Sequence, residues 1–174
     1  MENNLVELVA NAQAGDKDAL VRLVMDNKNE YYRLAYVYVR NQEDALDALE
    51  DMIVILYENI RKLKKPESFY NWSKTILVNI CKKMLKRRKN YVPWDTVREE
   101  TYDENYEHKV HRSDLAKQLA SLNKSQQEAI ILRFLLDYDY QTIAEIMKVP
   151  LGTVKSRIHT GLAKLRESLG GEYF

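Results

Sequence analysis

Apolar residues recur at three- and four-residue spacing through most of the chain, and almost no segment alternates with period two, so the pattern predicts an all-α protein. Leu5, Val6, Leu8 and Val9 open a short amphipathic helix that Gly15 breaks. Asp16 stands where it would cap a second helix through Leu20, Leu23 and Val24. A third carries Tyr31, Leu34, Ala35 and Tyr38. The fourth is expected from about Glu43 to Leu63, burying Ala45, Leu49, Met52, Ile53, Leu56 and Ile60. Pro66 punctuates the chain, and a fifth helix turns Phe69, Trp72, Ile76, Leu77 and Ile80 inward. From Tyr91 to Arg112 the periodicity fails, which predicts a linker. Helical spacing returns at Ser113 with Leu115, Leu119 and Leu122. Asn123 and Gln126 resemble a capping pair ahead of Ala129, Ile130, Leu132 and Arg133. Asp139 caps a short helix holding Ile143, Ala144 and Met147. Val149, Pro150, Leu151 and Gly152 then form a turn, and Thr153 caps a last helix to about Leu169, ended by Gly170 and Gly171. Two helical domains are expected, 1–92 and 113–174, joined by a linker over 93–112.

Composition narrows the class. With 5 glycines and 3 prolines in 174 residues, a turn-rich sandwich is disfavoured. The apolar runs are too short for a membrane span, and the acidic, amphipathic start does not resemble a signal peptide. The single cysteine, Cys81, fits a reducing cytoplasm. It is expected to be buried or half-buried, with lysine neighbours that could lower its pKa. Net charge is only +1, but the charges are sorted into blocks. Lys82, Lys83, Lys86, Arg87, Arg88 and Lys89 follow one another without an acid. Glu43, Asp44, Asp47, Glu50 and Asp51 follow one another without a base. The linker carries six acids against three bases. Such sorting suggests separate surfaces for separate partners.

The most specific constellation is C-terminal. A short helix from Tyr140 to Met147, a tight turn and a longer capped helix constitute a helix-turn-helix. At about 100° per residue, Val154, Ile158, Leu162, Leu165 and Leu169 share one face, which would dock on Ile143, Ala144 and Met147. Ser156, Thr160 and Ala163 point the other way. His159 and Lys155 flank them on one side, Arg157 and Lys164 on the other. Small polar groups with cations at the edges suit a helix that enters a major groove. An ordinary amphipathic helix with a solvated face has the same period, and the preceding turn and cap favour the groove-reading helix.

Leu122-Asn-Lys-Ser-Gln-Gln-Glu128, Ile143-Ala144-Glu145 and Gly152-Thr-Val-Lys-Ser-Arg157 resemble domain 4 of sigma-70 family transcription initiation factors, most closely the extracytoplasmic-function group. Asp44-Ala-Leu-Asp-Ala-Leu-Glu-Asp51 is similar to the family's polymerase-docking segment. Phe69, Trp72, Ile76 and Asn79, with the basic run after them, are similar to its DNA-melting segment. The resemblance implies a domain 2-like bundle over 1–92 and a domain 4-like helix-turn-helix over 113–174. It implies that Asp44, Asp47, Glu50, Asp51, Val54 and Tyr57 meet the polymerase clamp helices, with a further contact between the chain and the polymerase flap. It implies that Trp72, Asn79, Lys82, Lys83, Lys86, Arg87 and Arg88 engage the −10 element. Lysines and arginines would there hold phosphates, Asn79 an extruded base, and Trp72 or Tyr70 a stacking face. Thr153, Lys155, Ser156, Arg157, His159, Thr160 and Lys164 would engage the −35 element, and the acidic linker would lie in a positively charged polymerase channel. An anti-sigma partner, able to hold a cytoplasmic factor at the membrane, is also implied. The chain departs from the family pattern at Leu46, Glu50-Asp51, Ser73, Lys83, Asn123 and Thr160. Thr160, where the family commonly has arginine, leaves no inherited rule for the upstream bases read.

Other classes find less support. Three histidines and one cysteine offer no closed zinc set, and His108 and His111 lie in the linker with no third ligand. No phosphate-binding loop and no nucleophile triad is present, so neither an enzyme nor a cofactor is expected. The tyrosines at 31, 32, 36 and 38 read as core and rim packing. A helix-turn-helix regulator acting without polymerase, or a helical adaptor that binds only proteins, remain the alternatives.

Overall fold

The computed structural model describes residues 2–88 and 118–168, and the chain divides into two compact units, Met1–Lys89 and Asn90–Phe174. The linker expected over 93–112, with His108 and His111, and Leu115, Leu169 and the terminal glycines lie outside the described residues. Every regular element among the described residues is helical.

The first unit contains α1 (Glu2–Ala14), α2 (Lys17–Met25), α3 (Lys28–Val39), α4 (Gln42–Asn59) and α5 (Phe69–Arg87). Gly15, at φ 108°, ends α1 in a backbone conformation that costs glycine nothing. Asp16 then accepts from the N–H groups of Asp18 and Ala19 at 2.9 and 3.1 Å and starts α2. Helix α4 stops at Asn59 rather than running to Leu63, and a single 3₁₀ turn, Ile60–Lys62, follows it. Pro66 disfavours helical backbone at the preceding Lys65, which is extended. The Gln13 amide of α1 donates to the carbonyls of Ile60 and Leu63 at 3.0 and 2.8 Å, tying α1 to the connection after α4.

Helix α5 packs against both α3 and α4. Its buried face holds Phe69, Ser73, Lys74, Leu77, Val78, Ile80 and Cys81, while Trp72 and Ile76, expected inward, are half-buried at the margin. A polar contact accompanies this rotation. Ser73 donates to the Tyr70 carbonyl at 2.9 Å, which leaves its oxygen to accept from the Tyr31 hydroxyl at 2.6 Å. Burial pushes the Tyr31 phenol above its ordinary pKa. The departure at Ser73 is therefore matched by a buried partner on α3. Lys74 and Glu30 add a 2.6 Å ion pair between the same helices. Tyr38 of α3 is half-buried, and Val39 fills the core in its place. Ile53 is likewise half-buried. Cys81 is enclosed, and burial pushes its thiol up to about 12, against the lowering expected from its lysine neighbours. Those lysines point to solvent, while the thiol faces apolar core.

The second unit contains residues 118–120 in helical conformation, then α6 (Lys124–Phe134), α7 (Tyr140–Met147) and α8 (Leu151–Ser168). Asn123 and Asp139 cap α6 and α7, accepting from Gln126 at 2.9 Å and Thr142 at 2.8 Å. The Gln126 side chain does not complete a reciprocal box; its carbonyl oxygen faces Lys164 Nζ at 3.5 Å. Hydrogen bonds from the Thr142 backbone hold the Asp139 carboxyl below its usual range. Leu122, Ile130 and Leu165 form a core with Leu119 and Leu162 packed against it. Ile143, Ala144 and Ile146 are buried on α7, and Met147, expected in that face, is half-buried. Gly161 marks a close approach of α8 to α6, since a Cβ there would stand 2.6 Å from Ile130 Cδ1.

The turn between α7 and α8 is shorter than expected. Lys148 takes left-handed backbone, φ 55°, and closes α7 with bonds from its own N–H to Glu145 and from Val149 to Ala144. Leu151 and Gly152 are already helical. The Pro150 carbonyl accepts from Thr153 and Val154 at 2.9 and 3.3 Å, so Thr153 lies inside the first turn and is not the cap.

Three measurements check these features. Ser73→Ala strands a buried phenol and should cost about 1–3 kcal/mol in urea unfolding. Lys148→Gly relieves a left-handed lysine and should stabilise the second unit by roughly 0.5–1 kcal/mol, read as a raised midpoint. Between about pH 9 and 12 the unfolded thiol of Cys81 is ionised and the folded one is not. Folding stability should then fall by up to about 1.4 kcal/mol per pH unit relative to Cys81→Ala, and the two proteins should run parallel below that window.

Candidate nucleic-acid and polymerase interfaces

Helix α8 buries Val154, Ile158, Gly161 and Leu165. The burial of every third or fourth residue leaves Lys155, Ser156, His159, Thr160, Ala163 and Lys164 exposed, with Thr153 and Arg157 half-buried at the edges. The exposed strip has hydroxyls at its centre and cations along its margins. Its geometry follows from the α7–α8 corner, which Lys148 and Pro150 fix, and from the close seat of Gly161 on α6. A helix seated in this way turns its strip outward, where it can lie against a groove.

On α5, Trp72, Ile76, Asn79, Lys83 and Lys86 fall at successive intervals of three or four and form one stripe. Exposure rises along it, from half-buried Trp72 and Ile76 to exposed Asn79, Lys83 and Lys86. The Trp72 ring is tilted 57° against Phe69 at 6.3 Å, so part of its surface packs and part is free. Phe69 also meets Tyr70 edge-on at 5.4 Å. Lys82 lies 5.7 Å over the Tyr38 ring, and Arg87 is exposed. Arg88 is placed differently from its neighbours, its guanidinium turned onto the Asp44 carboxylate.

On α4, Asp47, Glu50 and Asp51 are exposed, and so are Val54 (56%) and Tyr57 (52%), on a common face. Leu46, the departure from the docking pattern, is exposed beside them. A helix that keeps three large apolar side chains in water among acids has the composition of an interface. Lys17 of α2 covers the Tyr57 ring at 5.4 Å. Asp44 does not share this exposure. It is buried, 5% exposed, at the start of α4.

Sequence reasoning missed several features. The connection after α4 exposes Arg61, Lys62, Lys64 and Lys65, a run legible in the sequence as four cations in five residues. Phe134, Leu135, Tyr140 and Leu151 are exposed in the second unit, with the Arg133 guanidinium 5.9 Å from the Phe134 ring and 5.7 Å from the Tyr140 ring. No periodicity singles these residues out. Among the described residues no helix is long and apolar enough to cross a membrane.

Two family models match the chain, sigma-70 region 2 over residues 23–91 and sigma-70 region 4 over residues 112–165. The RNA polymerase sigma factor SigV of Bacillus subtilis is 33% identical over 156 residues, covering 90% of this chain and 94% of that protein. Further relatives at 32% identity carry the name of extracytoplasmic-function (ECF) sigma factors. In fold, the chain is similar to CnrH, solved with the cytosolic domain of CnrY, at a TM-score of 0.70 and 19% identity, over 97% of this chain and 99% of that one. It is also similar to the sigma factor RpoE of Bartonella quintana, solved with the anti-sigma factor NepR, at 0.64 and 20% identity, over 87% and 96%. The two helical units and their order thus match a known architecture, and the chain belongs to the sigma-70 family of RNA polymerase sigma factors, in its extracytoplasmic-function group.

Proposed function

We propose that the chain divides promoter recognition between its units, with residues 1–92 docking polymerase and opening the −10 element, residues 113–174 reading the −35 element, and residues 93–112 as tether. As a sigma factor it binds core RNA polymerase and directs promoter-specific initiation. Helix α8 enters the upstream major groove. Ser156, His159 and Thr160 lie against base edges, and Thr153, Lys155, Arg157 and Lys164 hold the flanking backbone or adjacent bases. The observation that carries this assignment is the exposure of Ser156 and Thr160 opposite buried Val154, Ile158 and Leu165.

In the first unit the α5 stripe tracks one strand. Lys82, Lys83, Lys86 and Arg87 neutralise phosphates, so affinity falls steeply with salt. Asn79 is placed one turn before them, where its amide can hydrogen-bond a base lifted from the stack, and the free part of Trp72 lies at the far end of the same stripe. The α4 face of Leu46, Asp47, Glu50, Asp51, Val54 and Tyr57 seats on the polymerase clamp helices. Its apolar centre supplies area and its acids supply register. A cytoplasmic location follows from this partner, and an anti-sigma protein of the kind seen with RpoE is the expected inhibitor.

Run-off transcription with core polymerase tests the assignment. Promoter-specific transcripts should depend on the chain. Lys155→Ala with Arg157→Ala should weaken promoters that need upstream contacts by about 1–3 kcal/mol per lost base-reading contact. Unchanged output from such promoters would remove α8 from the interface.

A further inference from the structure

The pair formed by Asp44 and Arg88 joins residues 44 positions apart, one at the first turn of α4 and the other just past the last turn of α5. Arg88 presents both terminal nitrogens to the carboxylate, Nη1 to Oδ2 and Nη2 to Oδ1, a two-point fork that fixes orientation as well as distance. The Asp44 side chain is almost fully enclosed. A carboxylate so enclosed is costly unless a cation faces it, and Arg88 supplies that cation. Its charge also reaches the buried Cys81 thiol on the inner face of α5. The backbone at both ends is held as well, by Asn41 accepting from the Asp44 N–H at 2.9 Å and by Met84 accepting from the Arg88 N–H at 3.0 Å. Family likeness had put Asp44 on the polymerase and Arg88 on DNA. In the structure each uses its charge on the other, while Asp47, Glu50 and Asp51 on one side and Lys82, Lys83, Lys86 and Arg87 on the other remain exposed.

We infer that Asp44 and Arg88 are positioning residues whose ion pair ties the end of α5 to the start of α4, so that the polymerase-facing acids and the strand-facing cations move as one body. This rests on the functional assignment above. Docking α4 on polymerase then also sets where the α5 cations lie relative to the opening duplex.

Full-length protein with Asp44→Asn, Arg88→Gln and both together provides the test. With core polymerase, each single change should lower the yield of open promoter complex by roughly tenfold, within the range for residues coupled in one network, and the double should be no lower than either single. Affinity for core polymerase and the slope of log affinity against log salt should stay at the wild-type values. A slope smaller by about one for Arg88→Gln, with Asp44→Asn silent, would make Arg88 a phosphate contact and overturn the inference. Weaker core binding from Asp44→Asn alone would overturn it by making Asp44 a docking residue. Amide exchange of residues 82–88, measured without polymerase or DNA, should quicken in both single variants; unchanged exchange rejects the tie. If the wild-type chain gives no promoter-specific transcript, the functional assignment fails while the exchange result still judges the pair. Should Asp44→Asn not fold, Arg88→Lys, which keeps the charge and loses the fork, carries the same expectations at smaller amplitude.

Discussion

Helix α5 lies against α3 and α4 at once, and the rotation at which it lies there decides what its remaining surface can offer. The buried hydroxyl pair of Tyr31 and Ser73 constrains that rotation alongside the apolar face of Phe69, Leu77 and Val78, because a phenol enclosed without a partner is expensive. Turning Ser73 inward brings Leu77, Val78 and Cys81 in with it and leaves Trp72 and Ile76 at the margin. Asn79, Lys83 and Lys86 are then directed outward by geometry alone. The chemistry of the outer stripe is thus set from inside the bundle, by the residues that α5 buries.

Much of this was legible in the chain because the signals are local. Asp16, Asn123 and Asp139 each cap the helix they precede, since a cap needs only the next three residues to be helical. The exposed strip of α8 follows from period and composition. What escaped depends on contacts between distant segments. The inward turn of Ser73 requires Tyr31, 42 residues away, and the withdrawal of Asp44 from the acidic face requires Arg88. No pattern within α4 or α5 distinguishes Asp44 from Asp47, or Arg88 from Arg87. Thr153 failed as a cap for a different reason: the Pro150 carbonyl already accepts the first two N–H bonds, so α8 begins earlier than the threonine.

The second unit shows how few residues place its last helix. A lysine in left-handed backbone ends α7, a proline carbonyl begins α8, and a glycine lets α8 lie against Ile130. The first two fix the corner; the third fixes depth. Each accepts a conformational or packing restriction that an unconstrained helix pair would avoid. Together they leave the hydroxyl strip exposed along most of its length, which is the geometry that groove entry requires.

The Gln13 amide reaches two carbonyls at the close of α4, and so the earliest helix in the chain acts as a splint for a junction some fifty residues later. Contacts spanning 47 and 50 positions at this junction make closure of the first unit non-local there, a cost in chain entropy that the pairing of neighbouring helices does not carry.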